Sequence, residues 1–133
     1  MGTTVSVRKL REFTGHSGAI YTLQPGPAAG SIISCGSDGV VAAWDLNSGD
    51  ATAIAQAPGP IFAMRILPAH QLLLLALENG DLLFNDLRKR ETIRRVQLHK
   101  KAIFDLLPLP DGNHFLASGG DGAISLWNIE RRE

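Results

Sequence analysis

Cysteine, net charge and long apolar runs are all scarce in this sequence. Cys35 is the single cysteine among 133 residues, so no intramolecular disulfide can form and a reducing compartment, the cytoplasm, is expected. Thirteen Lys and Arg balance thirteen Asp and Glu, which gives no general attraction to nucleic acid or to an anionic membrane. The longest apolar run, Leu72–Leu77, is far shorter than the roughly 20 residues that span a bilayer. The composition therefore predicts a soluble cytoplasmic protein without a membrane span.

Motifs that carry catalysis or hold cofactors are also missing. The sequence has no glycine-rich phosphate loop and no nucleophile elbow, and its four histidines lack the close spacing of metal ligands. Cys35 has no base at a recognisable spacing and is predicted to be a small core residue. We therefore predict no catalytic residue, no metal site and no cofactor. Residues 1–6 fit the loose myristoylation pattern, and lipidation of Gly2 stays open beside an ordinary N-terminus.

The chain contains an internal repeat. A shift of 83 residues aligns 16–46 with 99–129 without gaps, and ten of these 31 positions are identical. Chance would give about two, if identity per position is roughly 6% for typical amino-acid usage. A shift of 41 aligns 57–87 with 16–46, and a shift of 42 aligns it with 99–129. The chain therefore consists of three units of about 41–42 residues.

Each unit is predicted to be a set of short strands. Proline and glycine clusters divide β-prone runs, and no segment has convincing helical periodicity. The runs Val40–Leu46 and Leu72–Leu77 are continuously apolar, which is typical of strands covered on both faces. The predicted strands are Val5–Phe13, Ala19–Gln24, Ser31–Cys35, Val40–Leu46, Ala51–Gln56, Ile61–Leu67, Gln71–Leu77, Asp81–Leu87, Thr92–Leu98, Ile103–Leu107, His114–Ser118 and Ala123–Ile129.

The stretch Ser31–Leu46 carries a polar group at a hairpin. Asp38 and Gly39 form an Asp-Gly pair between two strands, which is a strong hairpin signal. Such a turn places Ser34 and Trp44 roughly opposite one another, with side chains in reach. His16, just after a glycine, is a natural further member of this hydrogen-bonded group.

Four strands per unit, a Gly-His pair, an Asp-Gly turn and a Trp-Asp ending resemble the WD-repeat β-propellers. The resemblance implies an all-β fold of four-stranded antiparallel blades. It also implies a buried clasp in each blade, made of a His, a Ser or Thr, the turn Asp and a Trp. Unit two has Ala57, Leu75, Asn79 and Asn85 at those four positions, and Ala117 takes the Ser position of unit three. The clasp residues are His16, Ser34, Asp38 and Trp44 in unit one and His99, Asp121 and Trp127 in unit three.

Three blades are too few to close a ring, because propellers have roughly four to eight. We expect a single partial propeller domain over 1–133, with units at about 14–56, 57–98 and 99–133. The outer strand Val5–Phe13 is left to complete a last blade. Two alternatives stay open: self-association, in which this strand completes unit three of another chain, or a piece of a larger propeller.

The resemblance implies a non-catalytic protein–protein interaction scaffold that binds through one loop face. A nucleic-acid-associated platform using the basic residues between Arg88 and Arg95 is an alternative, although net charge is zero, and a propeller-based enzyme is another. Exposed side chains on rigidly held loops are where binding tends to occur. The candidate partner-binding residues are Ser17, Ser37, Pro58, Pro60, Glu78, Lys100 and Lys101, with Gly18 and Gly120 beside them.

Overall fold

Three antiparallel β-sheets make up this computed structural model, which describes residues 2–132. The first two sheets have four strands each and the third has three, in sequence order across each sheet. The first sheet contains β1 (Ile20–Pro25), β2 (Ser31–Gly36), β3 (Val40–Asp45) and β4 (Ala51–Gln56). The second contains β5 (Ile61–Leu67), β6 (Leu72–Leu77), β7 (Asp81–Asp86) and β8 (Glu91–Gln97), with a 3-10 turn at Pro68–His70. The third contains β9 (Ile103–Pro108), β10 (His114–Gly119) and β11 (Ile124–Asn128).

The sheets stack side by side, with β1, β5 and β9 as neighbours along one edge of the stack. Two apolar cores fill the spaces between successive sheets. The structure therefore confirms the predicted all-β fold of stacked blades and an open, unclosed ring. Among the described residues no helix is long and apolar enough to cross a membrane.

The middle sheet explains the continuous apolar run Leu72–Leu77. All six residues are buried, and alternate side chains point to opposite cores. Leu72, Leu74 and Ala76 pack in the core toward the third sheet. Leu73, Leu75 and Leu77 pack in the core toward the first. Burial of each leucine contributes about 1.5–3 kcal/mol, so this strand is a main source of cohesion between the blades.

The three hairpin turns between the second and third strands of the sheets share one geometry. Gly39, Gly80 and Gly122 have φ of 74°, 90° and 79°, and each amide donates to the carbonyl three residues earlier. A side chain at Gly80 would be strained by this φ, and its Cβ would lie 2.0 Å from the carbonyl oxygen of His99. Glycine is therefore required there, and the turn fixes the loops around it.

The predicted strand Val5–Phe13 is not a strand in this structure. Residues 2–19 have no regular secondary structure, and within residues 2–132 no neighbouring strand pairs with this segment. Val5, Val7 and Leu10 are 86%, 92% and 81% exposed. An extended segment needs a partner for its backbone groups to become a strand. A strand here therefore stays a prediction that requires another chain or further blades.

Candidate functional site

The first blade-like sheet contains a continuous chain of hydrogen bonds among four side chains. Asp38 Oδ2 accepts from His16 Nδ1 at 2.9 Å, which leaves Nε2 as an acceptor for the hydroxyl of Ser34 at 2.6 Å. Ser34 Oγ in turn accepts from Trp44 Nε1 at 2.8 Å. The paired strands place Ser34 opposite Ala42 and Trp44 opposite Ile32, so the indole reaches the hydroxyl diagonally rather than directly across.

Asp38 also holds the surrounding backbone. Its two oxygens accept from the amides of Val40 at 3.0 Å and Ser17 at 3.2 Å. Burial raises the pKa of Asp38, but the hydrogen bonds from Val40, His16 and Ser17 outweigh it and hold this pKa below its usual value. The clasp therefore links the loop before β1 to the β2–β3 turn through an ionised carboxylate.

Ser34, His16 and Asp38 share the connectivity of a hydrolase triad, but they are not arranged for catalysis. Ser34 is only 1% exposed, and its oxygen is already occupied by the indole N–H of Trp44. A nucleophile must reach the substrate, and its base must be free to take the proton at that moment. The group can stabilise the blade but cannot present an attacking oxygen.

The third sheet contains an equivalent clasp that uses a different serine. His99 Nδ1 bonds Asp121 Oδ2 at 2.8 Å, and His99 Nε2 bonds the hydroxyl of Ser125 at 2.8 Å. Trp127 Nε1 donates to Ser125 Oγ at 2.6 Å. The hydrogen bond from His99 is the main cause that holds the pKa of Asp121 below its usual value. Sequence reasoning missed Ser125.

Ser125 replaces the missing hydroxyl by a cross-strand exchange. Ser34 pairs with Ala42 in the first sheet, whereas Ala117 pairs with Ser125 in the third. The two strands have thus swapped serine and alanine at the same pair. The repeat alignment compares one position at a time and therefore misses Ser125. Comparing the cross-strand pair Ser34/Ala42 with the pair Ala117/Ser125 would have found it.

The second sheet retains only fragments of the clasp. Asn79 Oδ1 accepts from the amide of Asp81 at 3.0 Å, the same turn contact that Asp38 and Asp121 make with the residue two positions ahead. Asn85 replaces the tryptophan and bonds Thr92 at 2.5 Å. Apolar packing of the fully buried β6 holds this sheet instead. Among the described residues no buried side-chain nitrogen or oxygen lacks a partner.

The loops predicted to bind partners lie together on one face. In each sheet the loop before the first strand contacts the turn between the second and third strands. Gly18 lies against Ser37 in the first sheet, the Glu78 amide donates to the carbonyl of Pro60 in the second, and Gly120 lies beside Lys101 in the third. Successive sheets are also joined there, since Gly39 lies against the carbonyls of Ala57 and Gly59. Most of these side chains are exposed, and Ser37 and Pro60 are half-buried. We define the loop face by Ser17, Ser37, Pro58, Pro60, Glu78, Lys100 and Lys101.

Three aromatic side chains beside the loop face were not foreseen from the sequence. Tyr21, Phe62 and Phe104 occupy equivalent positions of β1, β5 and β9. The ring centroids of Tyr21 and Phe62 are 5.1 Å apart, and those of Phe62 and Phe104 are 5.6 Å apart. We call these three residues the aromatic row. The repeat alignment already placed aromatics at all three positions, which was the available signal.

The remaining chemistry candidates have structural surroundings. Cys35 is fully buried, and burial, with Asp38 nearby, raises the pKa of its thiol to about 12, so it is no nucleophile at neutral pH. In the part of the chain that the structure describes, no three metal-ligating side chains cluster. Within the basic run, Arg95 pairs with Asp81 at 2.5 Å.

Two segments of the chain match a known family of repeat proteins. The family model described as "WD domain, G-beta repeat" matches residues 7–45 and 90–128. These two matches contain the clasps of the first and third units, whereas the four positions at which unit two lost its clasp lie in the unmatched middle. The two matches lie 83 residues apart, the shift of the internal repeat.

Similar proteins extend well beyond this chain. Nuclear distribution protein PAC1 of Arthroderma otae is 28% identical over 131 residues, which covers 90% of this chain and 28% of that protein. Small ribosomal subunit protein RACK1 of Candida albicans is 25% identical over 126 residues, 89% of this chain and 39% of that protein. U3 small nucleolar RNA-associated protein 21 of Saccharomyces cerevisiae is 26% identical over 98 residues, 74% of this chain and 10% of that protein. The chain thus spans less than half the length of these relatives.

Proposed function

Because the chain belongs to the WD domain, G-beta repeat family, we propose that it is a non-catalytic scaffold that binds protein partners through its loop face. The observation that carries this proposal is the placement of exposed side chains on turns that are held rigidly from below. The clasps of His16 and His99 tie these loops to the sheets. Rigid loops lose little conformational entropy on binding, which favours recognition without rearrangement.

The proposed domain is one partial propeller over 1–133, with repeat units at about 14–56, 57–98 and 99–133. Its two outer sheets each leave an apolar face open. Leu23 is 59% exposed on the first sheet. Ile124 and Leu126 are 76% and 62% exposed on the third, where β11 is also an unpaired edge within the described residues. Exposed apolar faces and open strand edges favour further association.

We propose that more blades cover these faces, from a second copy of this chain or from the remainder of a larger propeller. In the first case Val5–Phe13 of one copy would pair with β11 of the other, and two copies would form a six-bladed ring. Val5 and Val7 are unpaired within residues 2–132 and highly exposed, which supports this pairing between two copies. In the second case the same faces would be covered within one longer chain. A cytoplasmic location belongs to the same proposal and is supported by Cys35, which is free and buried.

A nucleic-acid platform is the less favoured function. Arg95, one of its candidate cations, is already paired with Asp81, and the whole chain has no net positive charge. Binding to generic nucleic acid depends steeply on salt. A salt titration that shows tight, steeply salt-dependent binding of nucleic acid would support this alternative over the scaffold.

Affinity capture with matched variants tests the scaffold. The full chain is used as bait in a lysate of its source organism, beside Lys100→Glu/Lys101→Glu, which changes two exposed residues of the loop face. The control is Lys89→Glu, an exposed lysine at the opposite end of the second sheet, in the β7–β8 turn. We expect a partner that the wild type and the control retain and the double variant loses. A partner that all three proteins retain in full would show that the loop face does not bind it.

A further inference from the structure

The aromatic row has a local structural cause. Tyr21, Phe62 and Phe104 are each the unpaired residue of a β-bulge, since the register of β1, β5 and β9 skips these positions. A bulge turns its extra side chain out of the alternating pattern of the strand. The same irregularity in three blades therefore aims three rings in the same way, and they contact one another across the blades.

The row is open to a ligand. Tyr21 is 48% exposed and Phe104 is 57% exposed, although both have aromatic neighbours. The loop residue beside the third-blade end of the row is small, because Gly120 stands there. A Cβ at Gly120 would lie 3.4 Å from the ring of Phe104 and so would crowd that ring. A contiguous, partly exposed aromatic surface is typical of a binding site.

Positive charge lies at one end of the aromatic row. The side chain of Lys101 begins near Phe104, because a Cβ built on Gly120 would lie 3.5 Å from Lys101 Cβ and 3.4 Å from the Phe104 ring. Neither Lys100 nor Lys101 has a carboxylate within ion-pair distance among residues 2–132. The one acidic residue of the loop face, Glu78, lies in the middle blade beside Pro60. The row is thus flanked at its third-blade end by two cations that are unpaired within the described residues, while the nearby carboxylate of Asp105 is paired with Arg65 at 3.2 Å.

We propose that the aromatic row and the two lysines bind an extended acidic peptide segment that carries an aromatic or large aliphatic side chain. This inference rests on the proposed function and names its partner. The apolar side chain packs on Phe104 and Phe62, and neighbouring carboxylates of the peptide pair with Lys100 and Lys101. Single-stranded nucleic acid fits less well, because it needs cations along its whole backbone and Glu78 lies beside the centre of the row.

Selection from a phage-displayed library of random peptides on the immobilised full chain tests the proposal. We expect enriched peptides that combine aromatic residues with several Asp or Glu. The most enriched peptide, labelled with fluorescein, then gives dissociation constants for the variants. Lys100→Glu/Lys101→Glu and, separately, Phe104→Ala should each weaken binding by about tenfold. Lys89→Glu should leave it unchanged, and circular dichroism should show the same fold in all variants.

Several results would overturn the proposal. Enriched peptides that are basic or lack aromatic residues, no enrichment at all, or unchanged affinity in both loop-face variants would each do so. Competition of the peptide by an oligothymidylate with steep salt dependence would assign the row to single-stranded nucleic acid instead. If the captured protein partner is still lost with Lys100→Glu/Lys101→Glu, the proposed function survives and only the peptide chemistry is wrong. If that partner is retained as well, both fail.

Discussion

Trp44 is the largest side chain of the first clasp and is 5% exposed. It donates to Ser34 and packs against Phe13, with ring centroids 5.9 Å apart. We expect Trp44→Ala to lower the free energy of unfolding by about 3–5 kcal/mol, because it removes a large buried ring and leaves a cavity. Urea titration at fixed protein concentration measures this change.

Trp127→Ala is the matched comparison for this prediction. Trp127 is half-buried, so its truncation should lower the free energy of unfolding by less than that of Trp44. Neither change touches a side chain of the loop face. An unchanged melting temperature for Trp44→Ala would show that the clasp does not stabilise the blade.

The cross-strand exchange predicts a rescue. Ser125→Ala leaves His99 Nε2 and Trp127 Nε1 without their shared partner, which should cost about 1–3 kcal/mol of unfolding free energy. Ala117→Ser restores a hydroxyl at the position that Ser34 holds in the first sheet. The double variant Ala117→Ser/Ser125→Ala should therefore be more stable than Ser125→Ala alone.

A double-mutant cycle in chemical denaturation measures the rescue. If the effects of the two substitutions on the free energy of unfolding simply add, a hydroxyl at residue 117 does not replace the one at residue 125. The corresponding exchange Ser34→Ala/Ala42→Ser in the first sheet is the control, and it should show coupling of the same sign.

At the residue scale, the histidine, aspartate and tryptophan of each clasp were predicted from the internal repeat together with the resemblance to WD-repeat propellers. Ser125 escaped because the alignment compares each position only with its own equivalents, and the hydroxyl had moved to the neighbouring strand. The aromatic row escaped for another reason. Strand alternation does not place a residue in a bulge, so the common orientation of Tyr21, Phe62 and Phe104 depends on backbone irregularity.

At the scale of elements, apolar runs were the most reliable signal. The run Leu72–Leu77 predicted a strand covered on both faces, and the structure confirms it with alternate side chains in two cores. Val5–Phe13 shows the limit of such patterns. Its alternation gives it strand propensity, but the partner that would make it a strand is not among residues 2–132.

Asp86 joins the end of β7 to the C-terminal segment. Its carboxylate accepts from Arg131 and from the amides of Arg88 and Lys89, and Arg131 also donates to the carbonyl of His70 at 2.8 Å. These bonds, with that of Arg131 the largest, lower the pKa of Asp86 to about 2. The contact therefore fastens the segment after β11 to the second sheet.

A carboxylate whose pKa is lower in the folded protein than in the unfolded chain makes the free energy of unfolding depend on pH. Asp86 contributes fully to the free energy of unfolding above the pKa of about 3.8 that it has in the unfolded chain. This contribution is lost as the pH falls toward the pKa of about 2 that Asp86 has in the folded protein. We expect the urea midpoint of the wild type to fall between about pH 5 and pH 2.5, and that of Asp86→Asn to fall less over the same range. Parallel curves for the two proteins would contradict this assignment.

At the scale of the whole molecule, each inner face of the stack is covered and each outer face is not. The middle sheet buries both faces, whereas the first and third sheets expose Leu23, Ile124 and Leu126. The repeat period predicted three units, and the resemblance to WD-repeat propellers implied that they are blades of an incomplete ring. How the ring closes depends on surfaces outside this set of blades, which no pattern within the repeats specifies.

We propose above all that these three blades are part of a ring that other blades complete. Static light scattering of the purified 133-residue chain at micromolar concentration tests it most directly. We expect no stable monomer: either a dimer that dissociates when Val7→Pro blocks pairing of the N-terminal segment, or heterogeneous association through the open faces. A monodisperse, cooperatively folded monomer at the mass of one chain would contradict it.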